Sequence, residues 1–463
     1  MFNFEDNQQE NIQTNTLNLN NQKLIKMGLV LGIGDSTRVY SKFGFDITQI
    51  DSVRNNQSVK VQKAKNYSIE SQLIKTEKTS LKTFVNYRRV KHFYTDDLDV
   101  FNGRAQYTQQ FFKNILRWAT VYETTSGSTP QQNFTYIEVE PGQGYYTYLG
   151  DLNNNGIKDF DEFEVAQFSD QANYLRIVLP NINRVATQKA KLSQSIFINF
   201  IQFKNNASKW LNTLSHFSNQ SSVLINKDQL KDGKKFNINP FDIKNEQVIG
   251  LQQNIRTSFF FNRGLQNYST TYTFQNNKNT QNISSDFQTS TQRIHELNFQ
   301  HNILGSWIIA TTANTAINNN TSTGFNSRNF NILSKEINPS VSFLKDEFST
   351  IETKYTYRDE YNNLGLESLK SHDFGLEYNY NNASKGSVIA TVNLIENNYN
   401  GPINTPASYR ILEGLQPDRN YTWSLIIQKK LTQLLDLSVN YNGRKNTASN
   451  AIHTGSVQLR ANF

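Results

Sequence analysis

The chain has 463 residues, 37% hydrophobic and 12% aromatic, and contains no cysteine. That excludes a disulfide framework, a thiolate nucleophile and a Cys-based metal site, and the aromatic content argues against disorder. The net charge of +8 comes from scattered Lys and Arg, without the clustered basic stripe of a nucleic-acid binder, so no nucleic-acid partner is expected.

Residues 1–22 are polar and acidic, beginning MFNFEDNQQENIQTN, and hold no apolar stretch of the kind a secretory signal peptide needs. No run of about 18 apolar residues follows anywhere, so no transmembrane helix is expected. From about residue 23 a period of two takes over. Leu81, Thr83, Val85 and Tyr87 alternate with polar residues, as do Ile351, Thr353, Tyr355 and Tyr357. The same holds for Phe374, Leu376, Tyr378 and Tyr380, for Val388, Ala390, Val392 and Leu394, and for Leu435, Leu437, Val439 and Tyr441. Val457, Leu459, Ala461 and Phe463 end the chain in the same way. Such alternation predicts half-buried strands, and only 8 prolines suit long unbroken ladders.

The connections sort into two classes. Tight, Lys/Asn/Gly-rich turns are expected at 33–36, 75–79, 113–115, 204–208, 262–267, 302–305, 344–347, 381–386 and 429–435. Between them lie longer polar connections at 219–249, 276–290, 316–331, 358–371 and 397–420, and the longest of all at 124–189. Short turns at one end and long loops at the other are the pattern of an outer-membrane barrel, whose closure also removes exposed strand edges. The predicted fold is therefore all-β, an antiparallel transmembrane β-barrel of about 18–20 strands with one long inserted loop domain. It divides into a polar segment at 1–22, barrel strands over 23–123, an extracellular loop domain over 124–189 and barrel strands over 190–463. A soluble sandwich, β-helix or propeller would also alternate, but with shorter strands and without two loop classes. A count of about 19 strands leaves one strand short of an even number. With the absent signal peptide, this gives the expectation that the chain is the C-terminal part of a longer protein, or one polypeptide of a split one.

The longest connection holds DLNNNGIKDFDEFE, residues 151–164. An EF-hand loop presents oxygen ligands at positions 1, 3, 5, 7, 9 and 12 and glycine at 6. Asp151, Asn153, Asn155, Ile157 through its carbonyl, Asp159 and Glu162 occupy those places, with Gly156 at the turn. The motif predicts a structural Ca²⁺ site of extracellular affinity, about 10⁻⁴–10⁻³ M. Residues 161–168 are expected to form two helical turns behind it. The alternative is an acidic, Asn-rich surface turn without metal.

Other chemistry has weak signals. The six histidines lack zinc spacing. GLVLGIGD (28–35) reads as strand and turn with no following helix, so it does not cradle phosphate. No nucleophile motif supports a hydrolase.

Three stretches, 134–180, ASYRILEGLQPDRNYTWSLIIQKKL (407–431) and YNGRKNTASNAIHTGSVQLRANF (441–463), resemble the C-terminal part of large, mostly uncharacterised outer-membrane or cell-surface β-barrel proteins of Bacteroidota. The resemblance implies a Gram-negative outer membrane, insertion by the barrel-assembly machinery and a terminal aromatic recognised as part of the last strand. It carries no catalytic motif.

The functional expectation is a non-enzymatic integral outer-membrane barrel for transport, export or surface display, with extracellular loops and a calcium-stabilised loop domain. Its partners would be outer-membrane lipid, the assembly machinery, and an upstream segment or plug protein. The alternatives are a secreted, soluble, calcium-dependent adhesin or glycan-binding β-protein and, with the least support, a barrel lipid hydrolase.

Overall fold

Every alternating segment named above is a strand. The structure is a computed structural model describing residues 2–461 except 8–9, 12–15, 18–19, 36, 95, 131–132, 180–183, 206, 232–235, 243–246, 265–266, 284–285, 383, 433 and 448. Phe463, expected at the end of the last strand, lies outside the described residues. Twenty strands join one antiparallel sheet, and the described residues fall into two compact units.

The first unit contains β1 (Phe2–Asn7), β2 (Gln22–Gly34), β3 (Tyr40–Arg54), β4 (Gln57–Lys75), β5 (Thr79–His92), β6 (Leu98–Phe111), β7 (Leu116–Pro130) and β8 (Arg184–Asn199). Each pairs antiparallel with the next. Register places Leu31 beside Phe43, Phe43 beside Ile69 and Ile69 beside Val85, so one face is a continuous apolar stripe. The neighbouring positions Lys42, Glu70 and Phe84, with Asp46, Asn66 and Arg88 two rows on, make the other face mostly polar. The stretch 219–249 is less loop than expected. Strands β9 (Phe217–Leu230) and β10 (Val248–Phe261) take both its ends, and each is divided between the two units. Between them, Phe236 packs on Tyr87 and Phe101 with ring centroids 6.2 and 5.5 Å away. The fully buried Lys227 donates to the carbonyls of Asn239 and Asp242 at 2.6 and 2.8 Å.

The second unit contains β11 (Tyr268–Ile283), β12 (Asp286–Ile303), β13 (Trp307–Ser322), β14 (Phe330–Leu344), β15 (Ser349–Asn362), β16 (Ser368–Asn382), β17 (Gly386–Asn400), β18 (Asp418–Lys430), β19 (Leu435–Asn446) and β20 (Ile452–Ala461). They too pair in sequence order. Tyr355, Phe374, Leu394 and Tyr421 lie side by side across four strands. One row away Leu376, Val392 and Trp423 do the same. On this face Phe374, Leu376 and Val392 are 54%, 53% and 56% exposed. A soluble surface seldom leaves so continuous an apolar band uncovered. The opposite face is polar, with Thr391, Ser424, Asn442 and Thr454 in one cross-strand row.

Several long connections shrink. The stretch 276–290 is almost wholly strand, because the ladder continues to the pair Ile283–Asp286. Likewise 358–371 is strand up to Asn362 and again from Ser368. The reading equated polar residues with loop, whereas Asn, Gln, Ser and Thr donate and accept ladder bonds as well as any residue. The strands of this unit reach 18 residues, longer than the 9–11 a hydrocarbon core requires. Their polar ends extend the sheet beyond the apolar band. The asymmetry survives in 401–417, which carries the helix Pro406–Leu412. Ile411 and Leu412 seat that helix on Ile332 and Leu369.

Within the polar segment 1–22, Phe2–Asn7 forms a strand that pairs antiparallel with Gln22–Met27.

Candidate functional site

The insertion belongs to the second unit and folds around aromatic rings. Its small sheet has the order Asn133–Glu138, Tyr174–Leu179, Tyr146–Tyr148, Phe163–Val165. Phe163 is 1% exposed, stacks on Tyr136 at 4.1 Å and meets Tyr174 edge-on at 4.9 Å. Phe134 meets Phe160 at 4.8 Å, and Tyr136 meets Tyr146 at 5.1 Å. Burial pushes the Tyr136 phenol up to about 12. Such rings give a short insertion enough apolar area to order it, with about 0.5–1.5 kcal/mol per ring pair beyond area alone.

The calcium-loop sequence forms the connection between Tyr146–Tyr148 and Phe163–Val165, which pair with each other. The two helical turns expected at 161–168 are absent. One 3-10 turn, Phe160–Glu162, leads directly into strand, because Phe163 and Val165 are taken up by that pairing. Gly156 has φ +76°, the left-handed conformation that position 6 requires. Asp151 accepts from the amide N–H of Gly156 at 2.8 Å. This N–H holds its carboxyl below the usual range. The side-chain amides of Asn153 and Asn155 both donate to Asp159 Oδ2, at 2.8 and 2.7 Å. The amide of Ile157 donates to Asn155 Oδ1 at 2.7 Å.

Five of the six proposed ligands are thus tied into one hydrogen-bonded loop. Glu162, fully buried, instead accepts from the backbone N–H groups of Leu152 and Asp159 at 2.9 and 3.0 Å. Among the described residues no three His, Asp or Glu side chains gather closely enough to share a metal. The donor set at Asp151, Asn153, Asn155 and Asp159 suits a hard cation, and Glu162 ties the two ends of the loop together through its backbone bonds.

The insertion is latched to the end of the sheet where its long connections lie. Arg328, in the turn between β13 and β14, pairs with Glu164 at 2.9 Å and donates to the Phe160 carbonyl at 3.2 Å. Burial raises the Glu164 carboxyl above its ordinary value, against the pull of the Arg328 charge. Ser327 donates to Asp161. Tyr409, on the helix Pro406–Leu412, donates to Gln171 and accepts from the Gln167 amide, both at 2.9 Å. Arg444 of β19 pairs with Asp170 at 2.5 Å and lies 4.5 Å from the Phe168 ring centroid. Ser169 bonds Thr454 at 3.4 Å. Arg444 and Thr454 stand on the polar face, since Arg444 is directly opposite Thr422 and Thr454 directly opposite Asn442. The insertion therefore covers polar face, not apolar face. The side chains of Arg444 and Asp170 are only 15% and 21% exposed; leaving such a charge unpaired costs about 3–5 kcal/mol.

Sequence reasoning missed these latches because their partners lie more than 160 residues apart. It also missed three pairs in which a tyrosine hydroxyl meets histidine Nδ1 at 2.8 Å: Tyr272–His295, Tyr355–His372 and Tyr441–His453. No periodicity distinguishes such a histidine from any polar residue of an alternating strand.

The sequence matches no protein-family model and no curated protein. Among solved structures the chain is similar to the ferric-catecholate import receptor Fiu of Escherichia coli in its closed form, with 10% identity, a TM-score of 0.36, and 95% of this chain and 72% of that one covered. It is similar to the outer membrane transporter YddB of Escherichia coli at 8% identity, TM-score 0.32, covering 96% and 75%. It is also similar to OmpT, an outer membrane protein of Vibrio cholerae, at 10% identity, TM-score 0.28, covering 80% and 89%. Likenesses this loose bear on neither substrate nor mechanism.

Acid should loosen the insertion. Glu138 is held below its ordinary value chiefly by the hydrogen bond from Lys158, and Asp151 by the Gly156 N–H. Groups with lowered values contribute stability that is present above about pH 4 and lost as pH falls through the lowered values. Pepsin cleavage within 133–179 should accelerate as pH drops below about 4, and Lys158→Met should move the onset upward. An onset unmoved by Lys158→Met would remove Glu138 from the explanation.

Proposed function

We propose that the chain is a non-enzymatic outer-membrane β-barrel for passage or surface display, in which the insertion is an exterior lid over the lumen. The observation that carries this reading is the division of the sheet into a bare apolar face and a polar face, with Arg444 and Thr454 of the latter holding the insertion. Lipid would cover the band around Phe374, Leu376 and Val392, and the polar face would line the lumen. No helix among the described residues is long and apolar enough to cross a membrane, and strands of this length need none. Closure of the sheet in the membrane, insertion by the barrel-assembly machinery, extracellular long connections, and an upstream segment or plug protein belong to the same proposal. The soluble adhesin reading fits less well, because it leaves the apolar band facing water.

The lid gives the lumen a closed state. Arg328–Glu164 and Arg444–Asp170 anchor it at two separate strand ends. In planar bilayers the purified wild type should conduct little, and Arg328→Ala with Arg444→Ala should raise conductance severalfold without changing heat-modifiable gel migration. Equal conductance in both proteins would contradict the lid.

Calcium is the second part of the proposal. Asp151, Asn153, Asn155, the Ile157 carbonyl, Asp159 and Glu162 would hold it, and the ion would stiffen the lid. Binding by calorimetry should fall near 10⁻⁴–10⁻³ M, and Asp151→Ala with Glu162→Ala should abolish it. Asp151→Asn, which leaves the Glu162 backbone bonds in place, should weaken it. Identical calcium affinity in wild type and Asp151→Asn would count against the site.

A further inference from the structure

On the apolar face of the first unit the chemistry changes over a few residues of each strand. Leu31, Phe43, Ile69 and Val85 make one cross-strand row. Two residues on, Leu29, Phe45, Tyr67, Tyr87 and Phe101 make the next. The Phe45 and Tyr67 ring centroids are 5.1 Å apart, and those of Tyr67 and Tyr87 6.4 Å. In the row after that Lys65 lies directly opposite Arg89, and in the next Lys63 lies directly opposite Lys91. The register shift after Ile50 gives β4 one extra residue, so Lys60, directly opposite Asp51, returns to the same face. These basic rows stand at the strand ends away from the tight turn that joins β4 to β5.

Like charges directly opposite each other on neighbouring strands are destabilising, and here two such pairs are stacked. Lys63, Lys65, Arg89 and Lys91 mark the corners of a patch about 5 by 7 Å. All four are exposed. Neither β4 nor β5 carries an acidic residue on this face, and the flanking strands bring only Asp51 and Asp99. Arg89 reaches Asp99 at 3.9 Å, and Asp51 accepts from the Gln49 side chain at 2.9 Å. Among the described residues Lys60, Lys63, Lys65 and Lys91 form no ion pair. An anion seated among the four corners would turn their repulsion into attraction. A phosphate monoester, with a charge of about −1.5 to −2 at pH 7 and three acceptor oxygens, suits that place.

What the phosphate is attached to follows from the rows beside it. Tyr67 is 48% exposed and Ile69 42%, so the cations border aromatic rings and then bare hydrocarbon. Tyrosines with one apolar end and one wet end sit at the headgroup level of a bilayer, and lysine stems extend along apolar surface with their charge in water. A soluble polyanion would use the cations and gain nothing from the apolar rows. Phe236 bounds the patch on the β6 side, where it packs on Tyr87 and Phe101.

We infer that Lys63, Lys65, Arg89 and Lys91 hold the phosphate of a lipid headgroup in the leaflet at this end of the strands, with Lys60 beside them. The inference rests on the barrel reading, which puts the neighbouring apolar rows in lipid. Binding is by charge and contact alone and involves no covalent step.

The test uses the full chain in neutral detergent, with retained lipid counted by native mass spectrometry. The probes are dioleoyl phosphatidic acid, dioleoyl phosphatidylcholine, inorganic phosphate and a short single-stranded DNA. Wild type should retain phosphatidic acid in preference to phosphatidylcholine. Lys63→Gln with Lys91→Gln should cut that retention about tenfold or more. Lys26→Gln with Lys82→Gln, which removes two cations paired to Asp46 and Glu70 on the polar face, should leave it unchanged. Because the empty patch repels itself, the Lys63/Lys91 variant should unfold no earlier than wild type in lipid-free detergent, and phosphatidic acid should raise the unfolding temperature of wild type only. Equal retention of the two lipids, equal retention by wild type and the Lys63/Lys91 variant, or displacement of the lipid by equimolar inorganic phosphate or DNA would overturn the inference. Heat-modifiable gel migration, measured on the same samples, scores the barrel separately. Selective retention without it would sink the barrel and leave the cation site, and heat-modifiable migration without selective retention would sink the site alone.

Discussion

Two faces of opposite chemistry on the same strands are the constraint from which the rest follows. A β-strand points successive side chains to opposite sides, so alternation in sequence becomes separation in space. In the second unit one side carries Phe374, Leu376 and Val392 more than half exposed. The other carries Thr391, Ser424, Asn442 and Thr454. Nothing among the described residues covers the first side at these residues, and Arg444 and Thr454 of the second hold the insertion. An outer-membrane barrel resolves this arrangement by giving the apolar side to lipid.

The latches show how that division positions the insertion. Its aromatic cluster gives it a core of its own, so it is held as a body at a few points. Arg328 reaches it from a turn between strands and Arg444 from a strand. Tyr409 reaches it from a helix that Ile411 seats on Ile332 and Leu369. Three connections of different kinds thus converge on one insertion. The calcium-loop residues lie within it, at the turn between two of its strands, where a bound ion would stiffen the element nearest to Arg328 and Glu164.

Much of this was legible in the sequence. Alternation at 351–357, 374–380 and 435–441 located strands correctly, because the hydrophobic period is set by backbone geometry alone. The boundaries were less legible. Asn282 lies within a strand, and Asn362 and Asn400 end strands, yet all three read as loop, since ladder bonds are made by backbone groups that side-chain polarity does not report. Gly156 announced its own turn through its φ, whereas the helix expected at 161–168 lost to a three-residue strand pairing visible only in three dimensions. Arg328–Glu164 and Arg444–Asp170 join residues far apart in the chain, and a single sequence carries no signal for such pairs.

The central claim, that the insertion is docked on the polar face, has a direct test because the chain has no cysteine of its own. Ser169 and Thr454 place their hydroxyl oxygens 3.4 Å apart, close enough for two sulfurs substituted there to join. Ser169→Cys with Thr454→Cys, folded in detergent and mildly oxidised, should form an intramolecular disulfide seen as a reductant-sensitive shift on a gel, while each single variant should not. Two thiols that stay free under oxidation in the folded double variant would contradict the account.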